Sequence, residues 1–241
     1  MSVRCEYRHG KSPEALADLT VGCAAAIVTD PPYGTETANT IYGRRRESGE
    51  SRTIQNDRDL SALETTAPAM FGLLAKDGVA LVYCAPTLRR AVENVIEAGG
   101  LTPIHNVPWD KGAPGISYRV RYAYEDCVMA VHGEYDPFEL RGPLVVPLRE
   151  ARVAEPEHPH EKPVALLRRL IRWACPNGGL VVDPFAGIAS CGVAALAERC
   201  SYVGVECDER WWPIAERRLA EAQDRPHPML PQSSLFTEGA A

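Results

Sequence analysis

What the 241 residues lack narrows the field first. No apolar stretch approaches the roughly 20 residues that a membrane-spanning helix needs, and the opening residues do not read as a signal peptide. A cytoplasmic protein without a membrane segment is expected. There is no C-x-x-C pair: the eight cysteines are scattered, and several, such as Cys127, Cys191 and Cys200, sit inside apolar runs. That pattern argues against zinc and against a disulfide framework, so reduced, buried thiols and no metal are expected. Nor is there an excess of cations. Lys and Arg number 26 against 32 Asp and Glu, a net charge of −6, which excludes a surface that is basic all over.

The length suits one α/β domain with a full core, taken as residues 1–223 with a tail at 224–241. Within it, two short segments follow apolar runs directly. Residues 24–28 lead to Asp30-Pro31-Pro32-Tyr33, and residues 180–182 lead to Asp183-Pro184-Phe185-Ala186-Gly187. An apolar run that stops at a turn reads as a buried parallel strand ending in a loop. Ligands bind just beyond the carboxyl ends of such strands in open α/β sheets. Two carboxylates are therefore expected at two strand ends, on a shared cavity. A plain turn would explain the prolines of the first segment; it leaves unexplained Tyr33, whose ring stands where a planar ligand could stack.

Strand and helix signals alternate along most of the chain. Strands are expected at residues 4–8, 24–29, 79–84, 101–109, 124–131, 180–182 and 202–206. Helices are expected at 12–19 with Ser12 as cap, 60–75 closed by Lys76-Asp77-Gly78, 87–98, 163–174, 189–199 and 209–222. The pattern predicts an α/β, doubly wound, mostly parallel sheet. Residues 101–109 and 124–131 are the candidates for an antiparallel edge. Two stretches carry no period: 35–58, too long for a plain connection and so expected to be a functional or a disordered loop at the active site, and 133–159, a connection or small recognition insert.

At this point the sequence resembles a known family. Asp30-Pro31-Pro32-Tyr33, preceded by Thr29 and followed by Gly34, resembles the catalytic motif of the DNA amino-methyltransferases. Asp183-Pro184-Phe185-Ala186-Gly187 resembles their S-adenosylmethionine motif, and catalytic-first order marks the β group. His158-Pro159-His160-Glu161-Lys162-Pro163 is similar to the segment that opens the family's cofactor-side helix. The resemblance spans nearly the whole chain, and it implies S-adenosylmethionine as cofactor and double-stranded DNA as substrate. Adenine N6 is the implied target, because Asp-Pro-Pro-Tyr resembles the adenine enzymes; cytosine N4 is the alternative. A catalytically weak DNA-binding or clamp-interacting protein that retains the fold is the alternative of another class. Restriction-modification is the implied setting, and the chain is expected as monomer or homodimer.

The chemistry fits those residue types. An exocyclic amino nitrogen is a poor nucleophile while its lone pair is delocalised into the ring, so the enzyme must accept hydrogen bonds from it. Asp30 and the Pro31 carbonyl are the acceptors, Pro32 stiffens the loop, and Tyr33 stacks on a base turned out of the helix. On the cofactor side, Asp183 is read on the methionine amino group, Gly187 permits close backbone approach, and Glu206 stands where an acid binds ribose hydroxyls. Phe185 packs on adenine or fills the core. Ser190 keeps a hydroxyl at the helix start, and Lys162 with Pro163 opens the cofactor-side helix. The loop departs from the family's Gly-Ser-Gly-Thr in reading Gly187-Ile188-Ala189-Ser190, and Gly10-Lys11 replaces the family's Gly-Asp.

Arg44, Arg45, Arg46, Arg52, Lys111, Arg119 and Arg121 are read as DNA contacts, a solvated basic face being the alternative. Trp109 is read as a core residue. Gln232, Leu235 and Phe236, in the tail segment 232–236, resemble the peptide by which bacterial DNA-processing proteins grip the replication sliding clamp; an ordinary tail is the other reading.

Overall fold

The computed structural model describes residues 3–32, 60–114 and 120–224. Tyr33, the arginines at 44, 45, 46, 52 and 119, and the segment 232–236 lie outside the described residues.

Nine strands form one sheet among the described residues: β1 (Cys5–His9), β2 (Ala24–Thr29), β3 (Leu74–Cys84), β4 (Thr102–Asn106), β5 (Trp109–Asp110), β6 (Tyr124–Val131), β7 (Leu148–Arg149), β8 (Leu180–Asp183) and β9 (Ser201–Glu206). Their order is β1-β9-β8-β2-β3-β6-β5-β7, with β4 also on β6. From β1 through β3 every pairing is parallel, and β6 then runs antiparallel to β3. The chain leaves β2 toward β3 on one side and leaves β8 toward β9 on the other. The β2–β8 junction is thus the switch point, where a crevice opens beyond the strand ends.

Period-2 alternation fills both faces of the sheet. In β3, Val79, Leu81 and Tyr83 point one way, and Ala80, Val82 and Cys84 the other. The first face packs on the helices α5 (Val164–Ala174), α6 (Ser190–Ala197) and α7 (Trp212–Asp224). The second packs on α1 (Ser12–Ala15), α2 (Ser61–Gly72) and α3 (Arg89–Ala98). In α5 the apolar residues Leu166, Leu167, Leu170, Ile171 and Ala174 recur at helical spacing and are buried, while Arg168 and Arg172 turn outward onto Glu198. Burying that stripe is what fixes a helix of this length on the sheet.

Several expected boundaries shift for physical reasons. Lys76-Asp77-Gly78 does not close α2. Ala24 pairs with Leu74 and Ala26 with Val79, so residues 75–78 loop out as a bulge inside β3. The strand expected at 101–109 breaks into β4 and β5. The stretch 133–159 contains α4 (Phe138–Arg141) and the short β7. Ser12 does not cap α1, whose N-cap is Lys11; its hydroxyl instead donates to the carbonyl of Pro184 and ties α1 to the β8 loop.

Candidate active site

β2 and β8 lie side by side, with Ala26 opposite Val181 and Ile27 opposite Val182. Their ends therefore emerge together. The Thr29 hydroxyl donates to Asp183 Oδ1 at 2.7 Å, a direct bond between the two motifs across 154 residues of sequence. Asp30 and Asp183 line one cavity of about 470 Å³, with Tyr83, His158, Lys162, Gly187 and Ser190. A second cavity of about 680 Å³ lies at the end of β9, lined by Lys11, Ser12, Thr65, Thr66 and Glu206. Phe185 lines both and also packs against the core.

The two acids of the first cavity have different surroundings. Asp183 is buried and takes bonds from the Thr29 hydroxyl and from the Phe185 N–H at 3.2 Å. Burial outweighs these bonds and pushes its carboxyl up to about 7. Asp30 is raised by burial too, against the pull of the Lys162 ammonium that bonds its Oδ2. Its Oδ1 is buried and has no hydrogen-bond partner among the described residues. A buried acceptor of that kind costs free energy until a donor arrives.

Lys162 belongs to a chain of alternating charge. Its Nζ lies 3.1 Å from Glu125 Oε2, and Lys111 Nζ lies 3.0 Å from Glu125 Oε1. Burial opposes charge on Lys162, yet Asp30 and Glu125 together hold its ammonium above the ordinary lysine range. Burial likewise opposes the Glu125 charge, and the two ammoniums overcome it and bring that carboxyl down to about 2. The Tyr83 ring lies 5.1 Å from the Lys162 ammonium, and the Trp109 ring 5.7 Å from that of Lys111, both within reach of a cation–π attraction.

These positions change two readings taken from the sequence. Lys111 is 9% exposed and engaged with Glu125, so its ammonium is not offered to a DNA phosphate. Lys162 reaches Asp30 and Glu125, although its segment is expected on the cofactor side. Trp109 is a buried core residue. Arg121 is exposed on the described side of the 115–119 segment. Pro163 is the N-cap residue of α5.

On the cofactor side the loop after β8 is held from several directions. Gly187 N–H donates to Glu206 Oε2 at 2.8 Å, and the Tyr7 hydroxyl donates to the Gly187 carbonyl at 2.8 Å. Asp208 N–H donates to Glu206 Oε1 at 2.7 Å, and burial raises the Glu206 carboxyl. Ser190 is buried and accepts from Arg218, which also pairs with Glu161 at 2.8 Å. Burial lowers His158 to about 4, so its ring is neutral at pH 7; its Nδ1 accepts from His160 N–H. Ile188 is buried. Ala189 adopts a left-handed backbone at φ 58°, a conformation where glycine is unstrained.

Sequence reasoning missed the roles of Glu125, Tyr83 and the Arg218–Glu161 pair. Glu125 did carry a signal, as one of two carboxylates, with Asp126, near the start of a strand that is apolar from Cys127 onward. Tyr83 and Arg218 carried none. Among the described residues no helix is long and apolar enough to cross a membrane, and no group of His, Cys, Asp and Glu is arranged to hold a metal ion. All eight cysteines are free.

Fold and site define an α/β methyltransferase-type domain with two acids at its switch point. A family model described as DNA methylase matches residues 145–217. The chain is 28% identical over 217 residues to the putative methylase YubD of Escherichia coli K12, covering 90% of this chain and 91% of that one. It is 39% identical over 62 residues to the DNA adenine methyltransferase YhdJ of the same organism, covering 26% of this chain and 21% of YhdJ. Two solved structures share the fold. One is TTHA0409 of Thermus thermophilus complexed with S-adenosyl-L-methionine (TM-score 0.65, 20% identity, 92% and 97% of the two chains). The other is the cytosine-N4-specific PvuII DNA methyltransferase (TM-score 0.70, 16% identity, 90% and 87%). Motif order, family match and relatives together support a DNA amino-methyltransferase of the β group, a family dependent on S-adenosylmethionine.

Proposed function

We propose that the protein transfers a methyl group from S-adenosylmethionine to the N6 amino group of adenine in double-stranded DNA. One observation carries this reading. Asp30 and Asp183 face a single cavity, and Asp30 presents a buried carboxylate oxygen that lacks a donor among the described residues. An exocyclic amino group is such a donor.

The residues fit the cofactor by their chemistry. Asp183 is a buried carboxylate held by a hydroxyl and a backbone N–H rather than by an ammonium or guanidinium, and so suits the ammonium of the methionine part. Glu206 stands at the end of the neighbouring strand on the second cavity, suited to ribose hydroxyls. Phe185, between the two cavities, offers a ring to adenine. When bound, S-adenosylmethionine supplies a methyl group activated by a positive sulfonium. The protein's own part is positioning and electrostatics. Asp30 Oδ1 accepts an amino N–H, which draws the nitrogen lone pair out of the ring and aims it at the cavity. As positive charge grows on that nitrogen, the fixed carboxylate stabilises it without reorganising. The net-neutral Lys162–Asp30 pair keeps Oδ2 occupied, so acceptance falls on Oδ1.

Adenine is preferred because Asp-Pro-Pro-Tyr resembles the adenine enzymes, and because YhdJ is an adenine methyltransferase. The test uses the purified chain, tritiated S-adenosylmethionine and unmethylated genomic DNA, followed by nucleoside analysis. N6-methyladenine is expected. N4-methylcytosine would give the reaction to the other base. Binding of DNA without any methyl transfer would leave only a fold-retaining binder. The clamp peptide is a separate proposal, tested by pulldown of clamp with the full chain and with one ending at Arg225; equal capture sinks it.

A further inference from the structure

The four charges Asp30, Lys162, Glu125 and Lys111 come from four different places: the end of β2, the turn before α5, β6, and the turn after β5. They alternate in sign, sum to zero and are largely shielded from water, with side-chain exposures of 6% for Lys162, 8% for Lys111, 18% for Glu125 and 19% for Asp30. Of the four, Asp30 and Lys162 line the cavity, and Asp30 carries the unpartnered oxygen there.

We propose that Glu125, backed by Lys111, is a positioning residue that acts through Lys162 to present Asp30 Oδ1 as the free acceptor of that carboxylate. This rests on the reading of Asp30 as the acceptor of the target amino group. The reasoning is geometric. An ammonium with only Asp30 for company could swing between both carboxylate oxygens, or cross the cavity toward Asp183. Glu125 Oε2 at 3.1 Å pins Lys162 from behind. Lys111 at 3.0 Å occupies the other Glu125 oxygen, so Glu125 cannot turn away. Lys162 is then committed to Asp30 Oδ2, and Oδ1 is left toward the substrate. Tyr83 beneath the ammonium closes the remaining side. Glu125 and Lys111 have no place on the cavity wall, so neither touches cofactor or base.

The experiment compares the full chain with Glu125→Gln, Asp30→Ala and the double variant Asp30→Ala/Glu125→Gln. Each is assayed for tritium transfer to unmethylated genomic DNA under single turnover, with S-adenosylmethionine affinity by calorimetry and DNA affinity by gel shift. Glu125→Gln is expected to slow transfer roughly ten- to a hundredfold, in the range of a lost electrostatic contact to the transition state. Both affinities should stay within about twofold, a split that general loosening of the fold would not give. In the Asp30→Ala background the same change should add little, because both act at one point. Wild-type rates for Glu125→Gln, or an equal loss of rate and of cofactor affinity, overturn the inference. If Asp30→Ala itself transfers at the wild-type rate, the reading of Asp30 fails, whatever Glu125 does. Should Glu125→Gln not fold, Lys111→Met and Lys111→Arg decide. A several-fold slower Lys111→Met with recovery in Lys111→Arg supports the chain, and a wild-type rate in Lys111→Met overturns it.

Discussion

The two acids that meet at the switch point are held by opposite means. Asp30 is embedded in paired charge, with an ammonium on one oxygen and two further ions behind it. Asp183, one strand away, is held by a hydroxyl and a backbone N–H in place of a cation. The difference matches what each would receive. A net-neutral pair can accept a hydrogen bond from a neutral amino group without attracting stray cations. A buried carboxylate with no cation paired to it among the described residues is a site for something positive, and burial has raised its carboxyl to about 7. Environment, more than residue type, gives two aspartates two roles.

The largest expected effect tests the first half of that contrast. Asp30→Ala should cut methyl transfer by roughly 10²- to 10³-fold while cofactor affinity stays within about twofold, measured by single-turnover transfer and calorimetry. Comparable loss of cofactor affinity would mean that the two acids are not divided in role.

Next in size is Lys162→Met, which leaves Lys111 as the remaining ammonium of the four-charge chain. Removing one partner of a buried pair costs about 3 kcal/mol, read by denaturant unfolding. The sign with pH follows from the acid left behind. Without Lys162, Asp30 binds a proton more readily in the folded state than in the unfolded one. The deficit should therefore be largest near pH 8 and shrink as pH falls. A deficit independent of pH would show that packing, not charge, is what Lys162 supplies.

Asp183→Asn probes the other half. The folded carboxyl titrates near 7 and the unfolded one near 3.8, so between those values the folded state holds a proton that the unfolded state has released. Stability of the ligand-free protein should fall as pH rises from 4 to 7, and this slope should vanish in Asp183→Asn. A cationic ligand favours the ionised form, so cofactor affinity should increase as pH climbs from 5 to 8. In the variant it should be weaker by about 2 kcal/mol, near thirtyfold, and flat with pH. Affinity that falls with rising pH would reverse the assignment of Asp183 to a cation.

The smallest effect concerns the loop between the two halves. Ala189 adopts φ 58°, which glycine tolerates without strain. Ala189→Gly should stabilise the protein by up to about 1 kcal/mol, seen as a small rise in melting temperature. A fall would mean that the methyl group packs better than the backbone suffers.

Much of the site is legible in the chain because its parts are contiguous. An apolar run followed by Asp30-Pro31-Pro32, and another followed by Asp183-Pro184-Phe185, announce strand ends by local pattern alone. Glu206, at the end of the next apolar run, is readable for the same reason. Lys111 misleads because a lysine in a polar, Gly-containing stretch gives no sign that Glu125 will cover it. Ser12 passes for a cap because its actual partner, the Pro184 carbonyl, lies 172 residues away. The bulge at 75–78 passes for a helix stop, since Lys76-Asp77-Gly78 is turn chemistry wherever it falls.

The sequence by itself determined the alternating α/β order, the two strand-end acids and the motif order of the family, because each is written in neighbouring residues and their periodicity. Tertiary structure alone decided that the two motifs share one cavity, that Lys162 joins Asp30 across 132 residues, and that Asp30 is charge-paired while Asp183 is held by the Thr29 hydroxyl and the Phe185 N–H. Those facts depend on which strands lie side by side and how deeply each charge is shielded from water. Neither is encoded at any one position of the chain.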